Sequence, residues 1–219
     1  MNYNAQQIYD LLRPNLLEQI GYIDFNLMNI SIRINDKSSI GYLFQEWLKE
    51  WMIKSNINFR IKDNSQEFPD FMLNLSSDEK DLLEVKLFDY EKSPNFDIAN
   101  FEAYCRSLKI HPYRIDADYL IFAYTLRDST LIIKDMWLKK IWEITCASER
   151  FPLRLQVKQD TIYNIRPAIW YSEHTKNKPF NNKELFIEAL YKTLLQYEKT
   201  KINSINWLSE FNAISLQNN

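Results

Sequence analysis

Apolar and polar positions recur with two distinct periods along this chain, and the points where the period switches divide it into elements. Over residues 5–20, Ile8, Leu11, Leu12, Leu16 and Ile20 fall at helical spacing, which predicts an amphipathic helix interrupted at Pro14. The period drops to two in Ile23-Asp-Phe-Asn-Leu27 and Ile30-Ser-Ile-Arg-Ile34, a pattern that predicts a β-hairpin. A second helix begins at Ser38-Ser39, where Ile40, Leu43, Phe44, Trp47, Leu48, Trp51 and Met52 line one face. Three strand candidates follow: Asn58-Phe-Arg-Ile61, Asp70-Phe-Met-Leu-Asn-Leu75 and Leu82-Leu-Glu-Val-Lys-Leu-Phe88. The polar run at 76–81 joins the last two as a hairpin.

Asn95 or Asp97 is placed to cap a third helix, with Ile98, Phe101, Cys105 and Leu108 on one side and Glu102, Arg106 and Lys109 on the other. Tyr119-Leu-Ile-Phe-Ala-Tyr-Thr125 reads as a buried strand, and Thr130-Leu-Ile-Ile133 as another. The aromatic segment after it, with Trp137 and Trp142, fits a strand or a short helix equally well. Extended pieces surround Arg154, Lys158 and Arg166, and Asn182 caps a long helix carrying Leu185, Phe186, Ala189, Leu190 and Leu194.

With 219 residues, 46% hydrophobic and 26% charged, the chain has enough apolar material for one folded domain spanning 1–219. The two glycines, Gly21 and Gly41, stand apart, which excludes both the G-x-G-x-x-G dinucleotide loop and the Walker A phosphate loop. Cys105 and Cys146 are too few and too far apart for a zinc cage, and are expected as buried free thiols. His111 and His174 lack H-E-x-x-H spacing. With no long apolar run and no basic, apolar leader at its start, the chain is expected to be cytoplasmic and to have no membrane partner.

The net charge of −2 is unevenly spread. Residues 1–100 carry ten Lys and Arg against sixteen Asp and Glu, whereas residues 101–219 carry seventeen against thirteen. An acidic half suits cation-binding carboxylates and a basic half suits phosphates.

The chemistry concentrates in Pro69-Asp70 and Glu84-Val85-Lys86. On a strand, Glu84 and Lys86 project to one side while Leu83, Val85 and Leu87 face the other. If Asp70 lies on the paired strand, its carboxylate converges with Glu84 in a site suited to Mg²⁺, and the Lys86 ammonium is placed to steer water or neutralise charge on phosphorus. Asp78-Glu79-Lys80 matches the same acid-x-Lys pattern but falls in the polar turn, where nothing orients its side chains.

The surrounding order, helix, three strands, helix, strand, resembles the αβββαβ core of the PD-(D/E)XK nuclease superfamily. That resemblance implies an α/β fold in which helices flank a central mixed β-sheet, with the catalytic core at about 38–126. The superfamily often carries an acid four residues after a glycine in the first helix; here Gln45 follows Gly41 at that distance with Glu46 beside it, so both are candidate supporting residues.

A wider pattern is similar to the NgoBV/NlaIV-type restriction endonucleases: Gln66-Glu-Phe-Pro-Asp-Phe71, Leu82-Leu-Glu-Val-Lys86, Asn95-Phe-Asp-Ile-Ala-Asn-Phe101, Asp116-Ala-Asp-Tyr-Leu-Ile-Phe122 and Asn164-Ile-Arg-Pro167. It implies a type II enzyme that hydrolyses double-stranded DNA at GGNNCC with Mg²⁺, using Asp70, Glu84 and Lys86 as catalytic residues, the first two as metal ligands. A palindromic target favours a homodimer. Segment 149–179, with six basic against three acidic residues, is the candidate DNA-reading region; Arg154, Lys158 and Arg166 from it, and Arg106, are candidate DNA contacts. Two alternatives stay open at this level: a repair or junction nuclease of the same core, and a non-catalytic DNA-binding module.

Overall fold

The computed structural model describes residues 2–64 and 67–217; Gln66, the first residue of the 66–71 stretch, lies outside them. The chain folds as two compact units, one made of Met1–Ser93 and Asp118–Lys139, the other of Pro94–Ala117 and Lys140–Asn219. In chain order the elements begin with α1 (Ala5–Leu16), β1 (Ile20–Gly21), β2 (Asp24–Leu27), β3 (Ile30–Arg33), α2 (Ile40–Lys54), β4 (Phe71–Met72) and β5 (Leu82–Asp89). Then come β6 (Ala99–Asn100), α3 (Phe101–Leu108), β7 (Asp118–Arg127) and β8 (Thr130–Lys140). The remainder is β9 (Leu155–Lys158), β10 (Thr161–Ile165), α4 (Lys183–Gln196), α5 (Glu198–Lys201) and α6 (Trp207–Gln217).

The first unit is built on a five-stranded sheet in the order β1-β8-β7-β5-β4. Its central pair, β5 and β7, is parallel, while β4 and β1 pair antiparallel at the edges, so the sheet is mixed as expected. A parallel pair needs a long crossover, which residues 90–117 supply. Ala5, Ile8 and Leu12 of α1 and Ile40, Phe44, Leu48 and Met52 of α2 form one core with Leu83, Val85, Leu120 and Phe122 of the sheet. Each fully buried side chain of this kind contributes roughly 1.5–3 kcal/mol.

Helix α1 opens with a capping box, in which Asn4 Oδ1 accepts the Gln7 N–H at 2.9 Å and Gln7 Oε1 accepts the Asn4 N–H at 2.9 Å. Pro14 does not interrupt it: the proline sits in the last turn, where its missing N–H forfeits a single helical bond, and the helix runs on to Leu16. Helix α2 closes with Asn56 at positive φ, the Asn56 N–H donating to Ile53 O and the Ile57 N–H to Met52 O.

Two further expectations about elements are corrected, and one left open is resolved. Residues 58–61 form no strand; Arg60 makes an isolated antiparallel bridge to Met72. The Arg60 guanidinium instead secures the 74–78 turn, donating to Asn74 O and Ser77 O and pairing with Asp78 at 2.6 Å. The cap of α3 is Asn100, whose Oδ1 accepts the Ala103 N–H at 3.0 Å, not Asn95 or Asp97. Residues 98–100 are extended because they pair with β10, a long-range contact that local periodicity does not reveal. The segment after Thr130 is both things the pattern allowed: β8 carries Trp137, and a short 3-10 turn, Ile141–Ile144, carries Trp142.

The second unit holds the sheet β6-β10-β9 and helices α3, α4, α5 and α6. Within it Trp207 stacks on Phe211 and donates its indole N–H to Cys105 O at 2.8 Å. Both cysteines are buried and free, and burial pushes both thiols up. Among the described residues no helix is long and apolar enough to cross a membrane.

Scarce glycine leaves a mark on the turns. Neither glycine adopts positive φ, and the two-residue hairpin turns Met28-Asn29, Asp128-Ser129 and Gln159-Asp160 place non-glycine residues there instead. Such turns need the left-handed region at both positions, which costs a residue with a Cβ roughly 1 kcal/mol. Gln159→Gly, at an exposed tip, is therefore expected to raise the thermal midpoint by about 2–4 °C, read by circular dichroism; a lowered midpoint would contradict the assignment of strain to this turn.

Candidate active site

The antiparallel register of β4 and β5 pairs Phe71 with Leu83 and Met72 with Leu82, so Asp70, one residue before β4, comes opposite Glu84. Alternation along β5 sends Leu83 and Val85 into the core, and Glu84 and Lys86 to the opposite side. Pro69, joined to Phe68 by a cis peptide bond, precedes the aspartate.

Asp70 is held at both oxygens. Gln45 of α2 donates from Nε2 to Oδ1 at 2.9 Å, and the Val85 backbone N–H donates to Oδ2 at 2.7 Å. Lys86 Nζ lies 2.8 Å from Glu84 Oε1, and both side chains are largely buried. The other Glu84 oxygen, Oε2, is buried and has no hydrogen-bond partner among the described residues. A buried carboxylate oxygen left unmatched is costly, and marks a place where a positive ligand is favoured.

Burial foremost, and then the neighbouring Glu84 charge, push the Asp70 carboxyl up from 3.8 to about 7; the Val85 N–H, Lys86 and Gln45 pull the other way without cancelling the effect. A carboxyl whose pKa is raised on folding stabilises the fold below its unfolded value, and that contribution is lost as pH rises through the folded one. Metal-free protein should thus lose stability, on the order of a few kcal/mol, between about pH 4 and pH 7. Urea midpoints taken across that range check this: the Asp70 component of the decline should disappear in Asp70→Asn.

Beside Asp70 a small cavity of about 50 Å³ is lined by Gln45, Glu46, Lys49, Lys62 and Glu67. Glu46 thus borders the site, but it pairs with Lys49 at 3.5 Å and stays half exposed. Lys49 and Lys62, absent from the sequence reading, stand at this edge; Lys62 pairs with Glu67 at 3.6 Å. Their only sequence signal is a position on the helix and loop leading to Pro69-Asp70.

Of the candidate residues, Asp70, Glu84, Lys86 and Gln45 are brought together. Arg106, Arg154, Lys158 and Arg166 belong to the second unit. Arg106 is exposed on α3 and pairs loosely with Glu102 at 3.7 Å. Arg166 is paired with Asp97, Arg154 lies against Cys146, and the Lys158 ammonium sits 5.7 Å from the Tyr163 ring. Elsewhere in 149–179, Arg150 pairs with Asp160 and Lys176 with Glu149, each at 2.6 Å.

The model of the NgoBV restriction endonuclease family matches residues 2–217. The chain belongs to this family. It is 41% identical over 211 residues to the type II restriction enzyme NlaIV of Neisseria lactamica, covering 94% of this chain and 87% of that one. It is 36% identical over 158 residues to the type II restriction enzyme NgoBV of Neisseria gonorrhoeae, covering 71% and 90%. The solved structure of the NlaIV restriction endonuclease superposes with a TM-score of 0.91 at 40% identity, over 96% of this chain and 87% of that one. The family member described here is accordingly a type II restriction endonuclease, a site-specific deoxyribonuclease with a mixed α/β fold.

Proposed function

We propose that this endonuclease hydrolyses both strands of duplex DNA with Mg²⁺, from a PD-(D/E)XK-type centre formed by Asp70, Glu84 and Lys86, acting as a homodimer on GGNNCC. The observation that carries the reading is the convergence of two carboxylates and an ammonium at the β4–β5 pair, with Glu84 Oε2 buried and unmatched.

The residues fit a hard divalent cation. The Glu84 charge adds to the cost of ionising buried Asp70 in its absence, and Glu84 Oε2 is an acceptor awaiting a positive partner. Among the described residues no group of three or more His, Cys, Asp or Glu side chains stands ready for a metal. That economy suits Mg²⁺, which takes one or two carboxylates and keeps several waters. When bound, Mg²⁺ supplies Lewis-acid polarisation of the scissile phosphate.

The protein's own groups do the rest. Gln45 and the Val85 N–H fix the rotamer of Asp70, so that its orientation does not depend on the substrate. Lys86 presents an ammonium to the charge that grows on the phosphoryl oxygens as the water oxygen bonds to phosphorus and the ester P–O bond breaks. The second unit is proposed to face the DNA, with exposed Arg106 and Lys158 meeting phosphates, and Arg154 and Arg166 exchanging Cys146 and Asp97 for base edges.

The test is a plasmid of known sequence. Incubation with Mg²⁺ should give double-strand fragments whose ends map to GGNNCC, and a plasmid methylated at those sites should remain intact. Cleavage governed by branched structure instead of sequence, or at another site, would overturn this specificity.

A further inference from the structure

Helix α2 has two working faces. Ile40, Phe44, Leu48 and Met52 are buried in the core, while Gln45, Glu46 and Lys49 recur at helical spacing on another side. Gln45 is the residue whose amide reaches Asp70. Lys49, four positions on, follows it by one turn, about 6 Å along the helix axis. A second lysine comes to the same place from the segment between α2 and β4: Lys62 lines, with Lys49, the cavity of about 50 Å³ that Asp70 borders.

These two lysines are turned inward and loosely held. Their side chains are 30% and 26% exposed, against 48% and 57% for the neighbouring Glu46 and Glu67, so the cations lie deeper than the anions that pair with them. A lysine ordinarily keeps its ammonium in water. The Lys49–Glu46 and Lys62–Glu67 separations of 3.5 and 3.6 Å exceed the roughly 2.7–2.9 Å of a charge-assisted hydrogen bond. Lys134 and Lys183, similarly covered, hold their carboxylates at 2.6 Å. Loose pairs to half-exposed carboxylates contribute little and are readily exchanged for another anion.

We propose that Lys49 and Lys62 bind a DNA phosphate next to the one that is cut. The proposal rests on the reading of Asp70 and Glu84 as the cleavage centre and adds a grip on the strand beside it. Because Asp70 borders the same cavity, whatever occupies it lies against the reacting phosphate. Its size limits the occupant: at about 30 Å³ per water it holds one or two waters, which excludes a base or a sugar but suits the oxygens of a phosphate at its mouth. The next phosphate on a strand follows about 3.4 Å further along the duplex axis, a step that a lysine one helical turn beyond Gln45 spans. Glu46 and Glu67, being the more exposed partners, turn to solvent as the phosphate takes their place. Both lysines belong to the acidic part of the chain, where charge counts alone point to cations.

Metal-free binding to a short duplex carrying GGNNCC, and to one of scrambled sequence, tests this with the full chain. The unaltered protein is compared with a double variant, Lys49→Gln with Lys62→Gln, and with the corresponding double arginine variant. The glutamine variant should bind both duplexes about 10-fold more weakly, with a dependence of log Kd on log salt shallower by about one, while the arginine variant keeps most of the affinity. Duplexes in which one phosphate at a time is replaced by a neutral methylphosphonate then locate the contact. The unaltered protein should lose affinity at a position beside the mapped cut, where the glutamine variant loses nothing further. In cleavage with Mg²⁺, the DNA concentration for half-maximal rate should rise about 10-fold in the glutamine variant, with a far smaller fall in the rate at saturation. Circular dichroism should be unchanged, since both ion pairs are loose. Unchanged affinity and salt dependence, or rate lost at saturation with affinity intact, would overturn the proposal and leave the cleavage centre standing. A lysine-dependent phosphate far from the cut would overturn the reading of Asp70 and Glu84 as that centre.

Discussion

Asp70→Asn is expected to lower the rate of double-strand cleavage by roughly 10²–10⁴-fold, the range associated with removing one charged group from a catalytic centre. Asparagine retains Oδ1 to accept the Gln45 amide, but puts an amide or a neutral oxygen where the Val85 N–H now meets a carboxylate. It also removes the buried charge whose desolvation, with repulsion from Glu84 second, pushes Asp70 up to about 7. The variant should therefore be no less stable than the parent at pH 8 in the absence of metal, so lost activity will not be lost folding. Single-turnover plasmid cleavage paired with thermal melting reads both effects; a variant that is folded and within tenfold of full activity would remove Asp70 from the chemistry.

Lys86→Ala is expected to cost roughly 10²–10³-fold in cleavage rate by withdrawing positive charge from the developing phosphoryl charge. Its signature differs from that of the carboxylates. Divalent-ion affinity, followed by calorimetric titration, should fall by less than about tenfold or rise slightly, because Glu84 Oε1 is released from its 2.8 Å pairing and a cation gains an unopposed carboxylate. The metal-free variant should be destabilised, since removing one partner leaves Glu84 buried and unpaired. Metal affinity lost together with rate would move Lys86 from charge stabilisation to the support of the metal site.

Much of this centre was legible in sequence because it depends on a local rule. Period-two alternation alone places Glu84 and Lys86 on one side of β5 and Leu83 and Val85 on the other. The polar run at 76–81 announces the hairpin that brings Asp70 opposite Glu84. The segregation of charge was informative too: the carboxylate pair falls in the acidic part of the chain, and both residues lie in the first unit.

What escaped the sequence depends on partners far along the chain. Ile98 looked like a helical apolar position because it is buried, but it is buried in extended backbone whose N–H donates to Ile165 O. Arg60 sits in a run that reads as a strand, yet its guanidinium is occupied with the 74–78 turn. Gln45 was recognisable as a candidate supporting residue from its distance to Gly41; that its amide reaches Asp70, 25 positions away, follows from how α2 packs on the sheet. The alternation at 23–34 correctly foretold a hairpin, without showing that every residue of its two strands is exposed.

The chemistry assigned here depends on Glu84 more than on any other residue, as ligand, as partner of Lys86 and as the source of the unmatched buried oxygen. The decisive measurement compares the unaltered protein with Glu84→Ala on one plasmid, with Mg²⁺ and with chelator, alongside calorimetric titration of the divalent ion and circular dichroism. The unaltered protein should bind the ion and cut both strands at fixed sites only when Mg²⁺ is present. Glu84→Ala should remain folded, bind the ion at least about tenfold more weakly and leave the plasmid uncut. A folded Glu84→Ala protein that cleaves at full rate, or an unaltered protein that cleaves equally well in chelator, would contradict the assignment.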